Sequence, residues 1–308
     1  MVKREKLNAR DIVLQKKPVR TFSELAQFYG IGVDELRETA RILEQEGYGI
    51  ESDGDVVIRK SVEPSGKVDL TERFKKGLRF GLISDTHIGS SHARQDALEA
   101  IYDVFQKEGI RTTLHCGDVT DGNGVYLGQE QEQVEYGQDA QIDMVIKDYP
   151  KRVGMRTAFI TGNHDLREYQ RGGVDPGIPI ERSRPDMEYV GQCDSRLQLT
   201  EGGLDIELIH PAKGASYALS YHVQRDLNSR SPDDIPDIYA SGHFHNAFYA
   251  HYRGVETLSV PCLKDAGMWE RRMGFNNVVG GWLVEAETTE DTVQIRRFKP
   301  ELVTFKKK

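Results

Sequence analysis

Cysteine and long apolar runs are what this sequence has least of. Its three cysteines, Cys116, Cys193 and Cys262, stand far apart among 308 residues, which argues against a disulfide framework and a CxxC zinc site. No run of about 18 apolar residues occurs, so no membrane-spanning helix is expected. The opening MVKREKLNARDIVLQKK has only Ile12-Val13-Leu14 as an apolar stretch, too short for the core of a secretory signal. The expectation is a cytoplasmic protein with buried, inert thiols and no membrane partner. Basic charge is also in deficit: 41 Lys+Arg face 49 Asp+Glu, a net −8. A protein that coats DNA carries a basic face. The total argues against that class without excluding a local basic groove. With 38% hydrophobic and 29% charged residues the composition is ordinary for a globular chain, and the length suits roughly two domains.

Residues 1–60 read as a small helical module. Thr21-Phe22-Ser23-Glu24 has capping-box spacing, followed by Leu25, Ala26 and Phe28 and then Gly30. Asp34 is placed to cap a second helix with Leu36, Ala40 and Leu43 on one face, ending at Gly47. Asn8 could cap a shorter helix upstream, and Tyr48 to Ile58 reads as a hairpin around Asp53-Gly54. In order and spacing this resembles a winged helix-turn-helix domain. Segment 61–76, with Pro64, Ser65 and Gly66, is expected to be a linker. Over 77–308 strands and helices alternate. Leu78–Asp85, Thr112–Asp118 and Thr157–Gly162 read as strands, and Leu98, Ile101, Tyr102 and Phe105 mark a helix. The pattern implies an α/β layered domain, with functional groups in the loops beyond the carboxyl ends of its strands. The later strands form a more antiparallel half.

Histidine is the informative residue. Of nine, five follow expected strands: His87, His164, His210, His243 and His245. Asp85-Thr86-His87 and His243-Phe244-His245 each place two donors at a spacing that points both side chains the same way on an extended backbone. Gly117-Asp118 and Gly162-Asn163-His164-Asp165 end the second and third strands. These are oxygen and nitrogen ligands without a thiolate, which suits manganese, iron or zinc in an open site. They are too many for one ion and about right for two ions bridged by a carboxylate.

Asp85-x-His87, Gly117-Asp118, Gly162-Asn163-His164-Asp165, His210 and Gly242-His243-x-His245 occur in this order. The series resembles the calcineurin-like metallophosphoesterases across residues 78 to about 265. That resemblance implies a four-layer α/β/β/α sandwich with a dimetal site at one edge of the sheets. It implies that Asp85, His87 and His245 hold one divalent ion, that Asn163, His210 and His243 hold the other, and that Asp118 bridges them. Manganese is the first choice of metal, with iron or zinc as alternatives. The implied chemistry is in-line attack on phosphorus by a metal-bridging hydroxide, with Asn163 helping to offset charge on the equatorial oxygens. His164 is assigned to protonating the leaving oxygen or stabilising the transition state, with Asp165 as its orienting partner or a helix cap. Asp121 and Asn123 are candidates to support the ligands or simply to form a turn. His115, His222 and His251 read as structural and His92 as solvated.

Substrate choice is less legible. Tyr126 to Tyr149 reads as a solvated Gln- and Glu-rich lead to a packed helix, or as a lip over the site. Arg167 and Arg171, with Arg182 and Arg184 beyond them, are candidates to grip phosphate oxygens; Arg271-Arg272 reads more as solvated surface. Residues 1–70 hold 12 Lys+Arg and 13 Asp+Glu, and the second helix carries Asp34, Glu35, Glu38, Glu44 and Glu46 against Arg37 and Arg41. The amino-terminal module therefore reads as a DNA reader resting on its basic arm, or as a protein-contact module. The leading reading is a phosphodiesterase acting on nucleic acid or nucleotides. The alternatives are a phosphomonoesterase and a DNA-binding regulator with a structural metal domain.

Overall fold

The computed structural model describes residues 20–45, 50–53, 56–59, 68–75, 77–171, 174–211, 218–231, 234–275 and 277–306. The chain divides into two compact units, Met1–Glu63 and Pro64–Lys308.

In the first unit β1 (Arg20–Thr21) leads into α1 (Phe22–Tyr29) and α2 (Val33–Gln45), followed by β2 (Ile50–Asp53) and β3 (Val56–Arg59). The strands form an antiparallel sheet in the order β1-β3-β2. Helix α1 starts where two side chains satisfy otherwise unpaired amides. The Glu24 amide donates to Thr21 Oγ1 at 3.1 Å, and the Thr21 amide to Glu24 Oε2 at 3.0 Å. Phe22, Leu25, Leu36 and Ala40 form a small core. Asp34 does not cap α2, because the helix already begins at Val33. The helix expected near Asn8 and the Gly54 turn position lie outside the described residues.

The second unit begins with β4 (Val68–Asp69) and α3 (Thr71–Phe74). These fall in the expected linker, yet Leu70 and Phe74 are buried in the central core and β4 pairs with β9 (Asp194–Gln198). Burial, which no periodicity in so short a segment reveals, joins 68–74 to this unit. The remaining elements run β5 (Leu78–Ile83), α4 (Gln95–Lys107), β6 (Thr112–Cys116), α5 (Gln138–Asp148), β7 (Arg156–Thr161), α6 (Gly177–Ser183) and β8 (Met187–Gln192). After β9 come β10 (Asp205–Ile209), α7 (Tyr221–Ser229), β11 (Ile238–Ser241), β12 (Phe248–Tyr252), β13 (Val255–Ser259), α8 (Met268–Arg272), β14 (Gly280–Thr288) and β15 (Ile295–Thr304).

Two six-stranded sheets result, in the orders β15-β14-β5-β6-β7-β8 and β12-β13-β11-β10-β9-β4. Alternation along each strand decides what each face covers. Phe80, Leu82, Leu114 and Ile160 pack between the sheets with Ile206, Leu208 and Leu258. Ile83 and Phe159 point the other way, toward Ile101 and Phe105 of α4 and Val145 of α5. On the far sheet Tyr239 meets Val223 and Leu227 of α7. The layers are therefore helix, sheet, sheet, helix, as expected. Strands β5 to β8 are parallel, as are β10, β11 and β13, so several strand ends open on one edge.

Candidate metal centre

All five blocks converge at that edge, bringing five histidines together. The β5 loop is laced to the β6 loop: the Asp85 amide donates to the Gly117 carbonyl at 3.0 Å, and His87 to Asp118 at 3.1 Å. The Gly242 amide at the end of β11 donates to the Ile209 carbonyl of β10 at 3.0 Å. Donor atoms of Asp85, His87 and His245 lie within 4.8 Å of one another, as do those of Asp118, His210 and His243. A third such trio, His87, Asp118 and His164, overlaps both.

Asp85 and His87 do not converge through an extended backbone. Their φ angles are 53° and 45°, and Asp118, His243 and His245 have φ of 54°, 76° and 52°. Five side chains of the expected ligand set thus occupy the left-handed region, which costs a non-glycine residue about 1–3 kcal/mol. Such strain persists only where the surroundings over-determine it. Two glycines make the close approach feasible. A Cβ on Gly162 would stand 2.2 Å from Asp118 Oδ1, and one on Gly117 would stand 2.6 Å from His210 Nδ1.

Each of three imidazoles is oriented by its outer nitrogen. His87 Nδ1 lies 3.2 Å from Asp121 Oδ1, His210 Nδ1 lies 2.7 Å from the Cys116 carbonyl, and His245 Nδ1 lies 3.0 Å from Glu270 Oε1. Nε2 of all three is thereby left for the centre, the arrangement that fixes tautomer and ring angle at metal sites. His87 Nε2 and His245 Nε2 are 3.3 Å apart, His245 Nε2 is 3.2 Å from Asp85 Oδ1, and His210 Nε2 is 3.0 Å from Asp118 Oδ2.

The electrostatics ask for a cation. Burial pushes the Asp85 and Asp118 carboxyls up, but the neighbouring imidazoles outweigh it and hold both below the usual carboxylate range. Burial lowers His210, while Asp118 and Asp85 outweigh it and push that ring up to about 9. His243 is held near 3, chiefly by burial and then by His210, so it stays a neutral donor. Two buried atoms, Asn163 Oδ1 and His210 Nε2, make no hydrogen bond; the Asp118 oxygen near His210 Nε2 lies outside hydrogen-bond geometry. Buried polar atoms of native proteins are nearly always paired, so orphaned donors of metal-ligand type fit bound ions.

The His164 amide donates to Asp118 Oδ1 at 2.8 Å, and its ring Nδ1 donates to the Asp121 carbonyl at 2.7 Å. Burial lowers this ring to about 4. Asp165 is not its partner, contrary to expectation. The Asp165 carboxylate accepts from the Val119, Thr120 and Gly162 amides and from Thr120 Oγ1. A buried carboxylate satisfies itself with the nearest donors, and these pin two loops together. Burial and then the charge of Asp118 raise it to about 6.

The arginines divide. Arg184 is buried and binds the Val145, Ile146, Tyr149 and Pro150 carbonyls and Asp186, so it is structural. Arg167 Nε donates to the Gly124 carbonyl at 3.0 Å, Arg182 is exposed, and the Arg171 side chain lies outside the described residues. His222 and His115 are packed, as expected: His222 Nε2 lies 2.9 Å from Ser241 Oγ, and His115 Nε2 lies 3.2 Å from Thr86 Oγ1. His92 is not simply solvated, since it lies 3.5 Å from buried Glu132.

The polar lead from Tyr126 is solvated only in part: Glu130, Gln131 and Glu135 are exposed, while other side chains turn inward. Gln129 and Gln133 both donate to Asp121 Oδ2, at 2.9 and 3.1 Å, and Gln141 Oε1 accepts the Gly122 amide at 2.8 Å. Glutamines here form a wall behind the His87–Asp121 pair. Sequence reasoning also missed Glu270 and its buried partner Lys264, whose Nζ is 3.1 Å from Glu270 Oε2. Neither belongs to a spaced motif, and only the fold brings them to His245.

Among curated proteins, the DNA polymerase II small subunit of Thermoplasma acidophilum is 23% identical over 230 residues, covering 63% of this chain and 47% of that protein. The same-named subunit of Methanocaldococcus jannaschii is 24% identical over 268 residues, covering 72% and 44%. The chain spans about half the length of the curated relatives it matches. Among solved structures, an archaeal phosphodiesterase superposes with a TM-score of 0.40 at 13% identity, covering 73% of this chain and all of that one. Zinc-bound Vps29 from Entamoeba histolytica gives 0.37 at 18% identity, covering 74% and 100%. Residues 78–259 match the calcineurin-like phosphoesterase family, a span that holds every ligand block from Asp85 to His245. This chain belongs to the calcineurin-like phosphoesterase family.

Proposed function

We propose that the chain hydrolyses phosphodiester bonds in nucleic acid or nucleotides at a centre of two divalent cations, manganese first among them. Asp85, His87 and His245 would hold one ion and Asn163, His210 and His243 the other, with Asp118 within reach of both groups. Bound there, the ions would supply Lewis acidity at neutral pH and offset charge on the phosphoryl oxygens. The observation that carries the reading is the pair of buried atoms without a hydrogen bond, Asn163 Oδ1 and His210 Nε2, among the positive-φ residues Asp85, His87, Asp118, His243 and His245.

His164 keeps Nδ1–H on the Asp121 carbonyl, which leaves Nε2 for the substrate. Burial favours the neutral ring; the negative charge of an incoming phosphate raises its basicity, so Nε2 takes up a proton from solvent as substrate binds and gives it to the leaving oxygen. Asp165 positions this loop and does not itself meet substrate. Arg167 and Arg171, which follow this loop in sequence, are the candidate contacts to phosphate oxygens. Relatives named as subunits of a DNA polymerase support a nucleic-acid setting, and the free thiols Cys116, Cys193 and Cys262 support a cytoplasmic one. The first unit is read as winged-helix-like. Arg41 of α2 is bound bidentately to Glu38 at 2.7 and 2.9 Å, which weakens it as a phosphate ligand and favours a protein partner there.

The test is turnover of bis(4-nitrophenyl) phosphate, 4-nitrophenyl phosphate, single-stranded DNA and duplex DNA with Mn²⁺, beside Asp118→Asn. Asparagine tolerates the left-handed backbone of position 118 and removes only the charge. Diester and single-strand cleavage should fall at least ~100-fold in the variant. Monoester turnover alone would move the assignment to a phosphomonoesterase. No Asp118-dependent turnover of any substrate would end the hydrolytic reading.

A further inference from the structure

The loop after β6 and helix α8 meet beside His164 and carry aromatic rings that the hydrolytic chemistry does not use. Tyr126 and Trp269 stack with centroids 5.6 Å apart and planes at 26°, and Phe275 continues the row 5.7 Å from Trp269. The row starts at the centre. The Tyr126 ring is 6.3 Å from that of His164, which is 4.5 Å from that of His87. Rings of this size are ordinarily buried, yet Trp269 is 43% and Phe275 39% exposed.

The shelf is held firmly. Buried Glu132 accepts the Tyr126 hydroxyl at 3.0 Å on Oε2 and the Met268 amide on Oε1, so one carboxylate ties the loop to the helix. On the same helix Glu270 holds His245 and accepts the Gly267 amide at 2.6 Å. One short element thus presents Trp269 outward and braces the candidate metal ligand inward. Arg271 and Arg272, both exposed, add positive charge beside the rings.

We propose that Tyr126, Trp269 and Phe275 form a nucleobase-stacking shelf that seats bases flanking the scissile phosphate of a single-stranded nucleic acid. This rests on the phosphodiester reading above and narrows it. Exposed Trp269 and Phe275, their planes 49° apart, offer faces that accept any base by stacking, half-buried Tyr126 backs Trp269, and neighbouring arginines follow the backbone charge. In a duplex the bases stack on one another and present no free face, so the shelf selects unpaired strands.

The experiment uses the full chain in EDTA, so that nothing is cut, and follows Trp269 fluorescence. Trp282 stays silent because it is buried with its indole N–H on the Ser259 carbonyl. The probes are a thymidine dodecamer and the same backbone with every base removed. The dodecamer should quench the fluorescence and bind at least ~5-fold more tightly than the abasic strand. Because the tryptophan variants lose the probe, their affinities are read from the anisotropy of labelled strands. Trp269→Ala should weaken dodecamer binding ~5- to 100-fold and leave the abasic strand unchanged, and Trp269→Phe should restore most of the loss. Equal wild-type affinity for the two strands, or a Trp269→Ala variant that binds the dodecamer like wild type, would overturn the shelf. Wild-type turnover of bis(4-nitrophenyl) phosphate with Mn²⁺ reports separately. Turnover without base dependence removes the shelf alone, and absence of turnover removes the reading beneath it.

Discussion

Two histidines of similar burial serve different ends because their neighbours differ. The His164 ring is 13% exposed and bound through Nδ1 to a carbonyl beside the acidic cluster. His164→Ala should lower kcat for diester cleavage ~100- to 10,000-fold, while metal analysis of the purified variant still finds two ions per chain. Loss of the ions would make the residue a support for Asp118 instead. His222 stacks on Phe244 at 3.9 Å and sits far down the titration scale, at about 4, through burial and then Arg225. The unfolded chain binds a proton there near the ordinary 6.5 and the folded chain near 4. Its contribution to stability is therefore full above that window and is lost as pH falls through it, by up to about 3 kcal/mol. Urea midpoints at pH 7.5 and 5 should separate more for wild type than for His222→Gln. Equal separations would show that this ring does not carry the acid sensitivity. The five candidate ligand blocks were legible at this scale because residue identity and spacing alone carry them. The backbone that aims them was not, since positive φ at Asp85 or His243 arises from contacts with other loops.

Helix α8 shows how little of an element's role can follow from its own five residues, Met268–Arg272. Its sequence carries no periodic signal, yet Glu270 lies between His245 and Lys264 and is held below the usual carboxylate range. Burial opposes that shift, and His245 and Lys264 outweigh it. Glu270→Gln should reduce Mn²⁺ affinity ~10- to 100-fold, read by titration calorimetry on the full chain. An unchanged affinity would show that His245 needs no such orientation. The linker reading failed at this scale too, since β4 is a two-residue strand whose worth lies in its partner β9. Strands β5, β6 and β7, buried along nearly their whole length, were legible because β-branched and apolar residues run up to a glycine or polar stop. The glutamine wall was not, because polar side chains satisfied inside a fold look like solvated ones in a sequence.

For the whole molecule, the acidic balance now has a location. Residues 71–308 carry 29 basic and 36 acidic residues, and Asp85, Asp118, Asp121 and Asp165 are buried around the centre, where two divalent cations would offset them. The matched span lies wholly in the second unit, so residues 64–308 alone should retain bis(4-nitrophenyl) phosphate turnover within about threefold of the full chain. A much larger loss would make the first unit part of the catalytic apparatus. Sequence by itself determined the layered α/β class, the order of the ligand blocks and the family, because strand hydrophobicity and ligand chemistry are local properties. Only the tertiary structure decided which carboxylate serves which histidine, that Arg184 is structural, and that aromatic rings far apart in the chain share one shelf. Those facts depend on which segments the fold brings together, and pairing between segments distant in the chain leaves no periodicity behind.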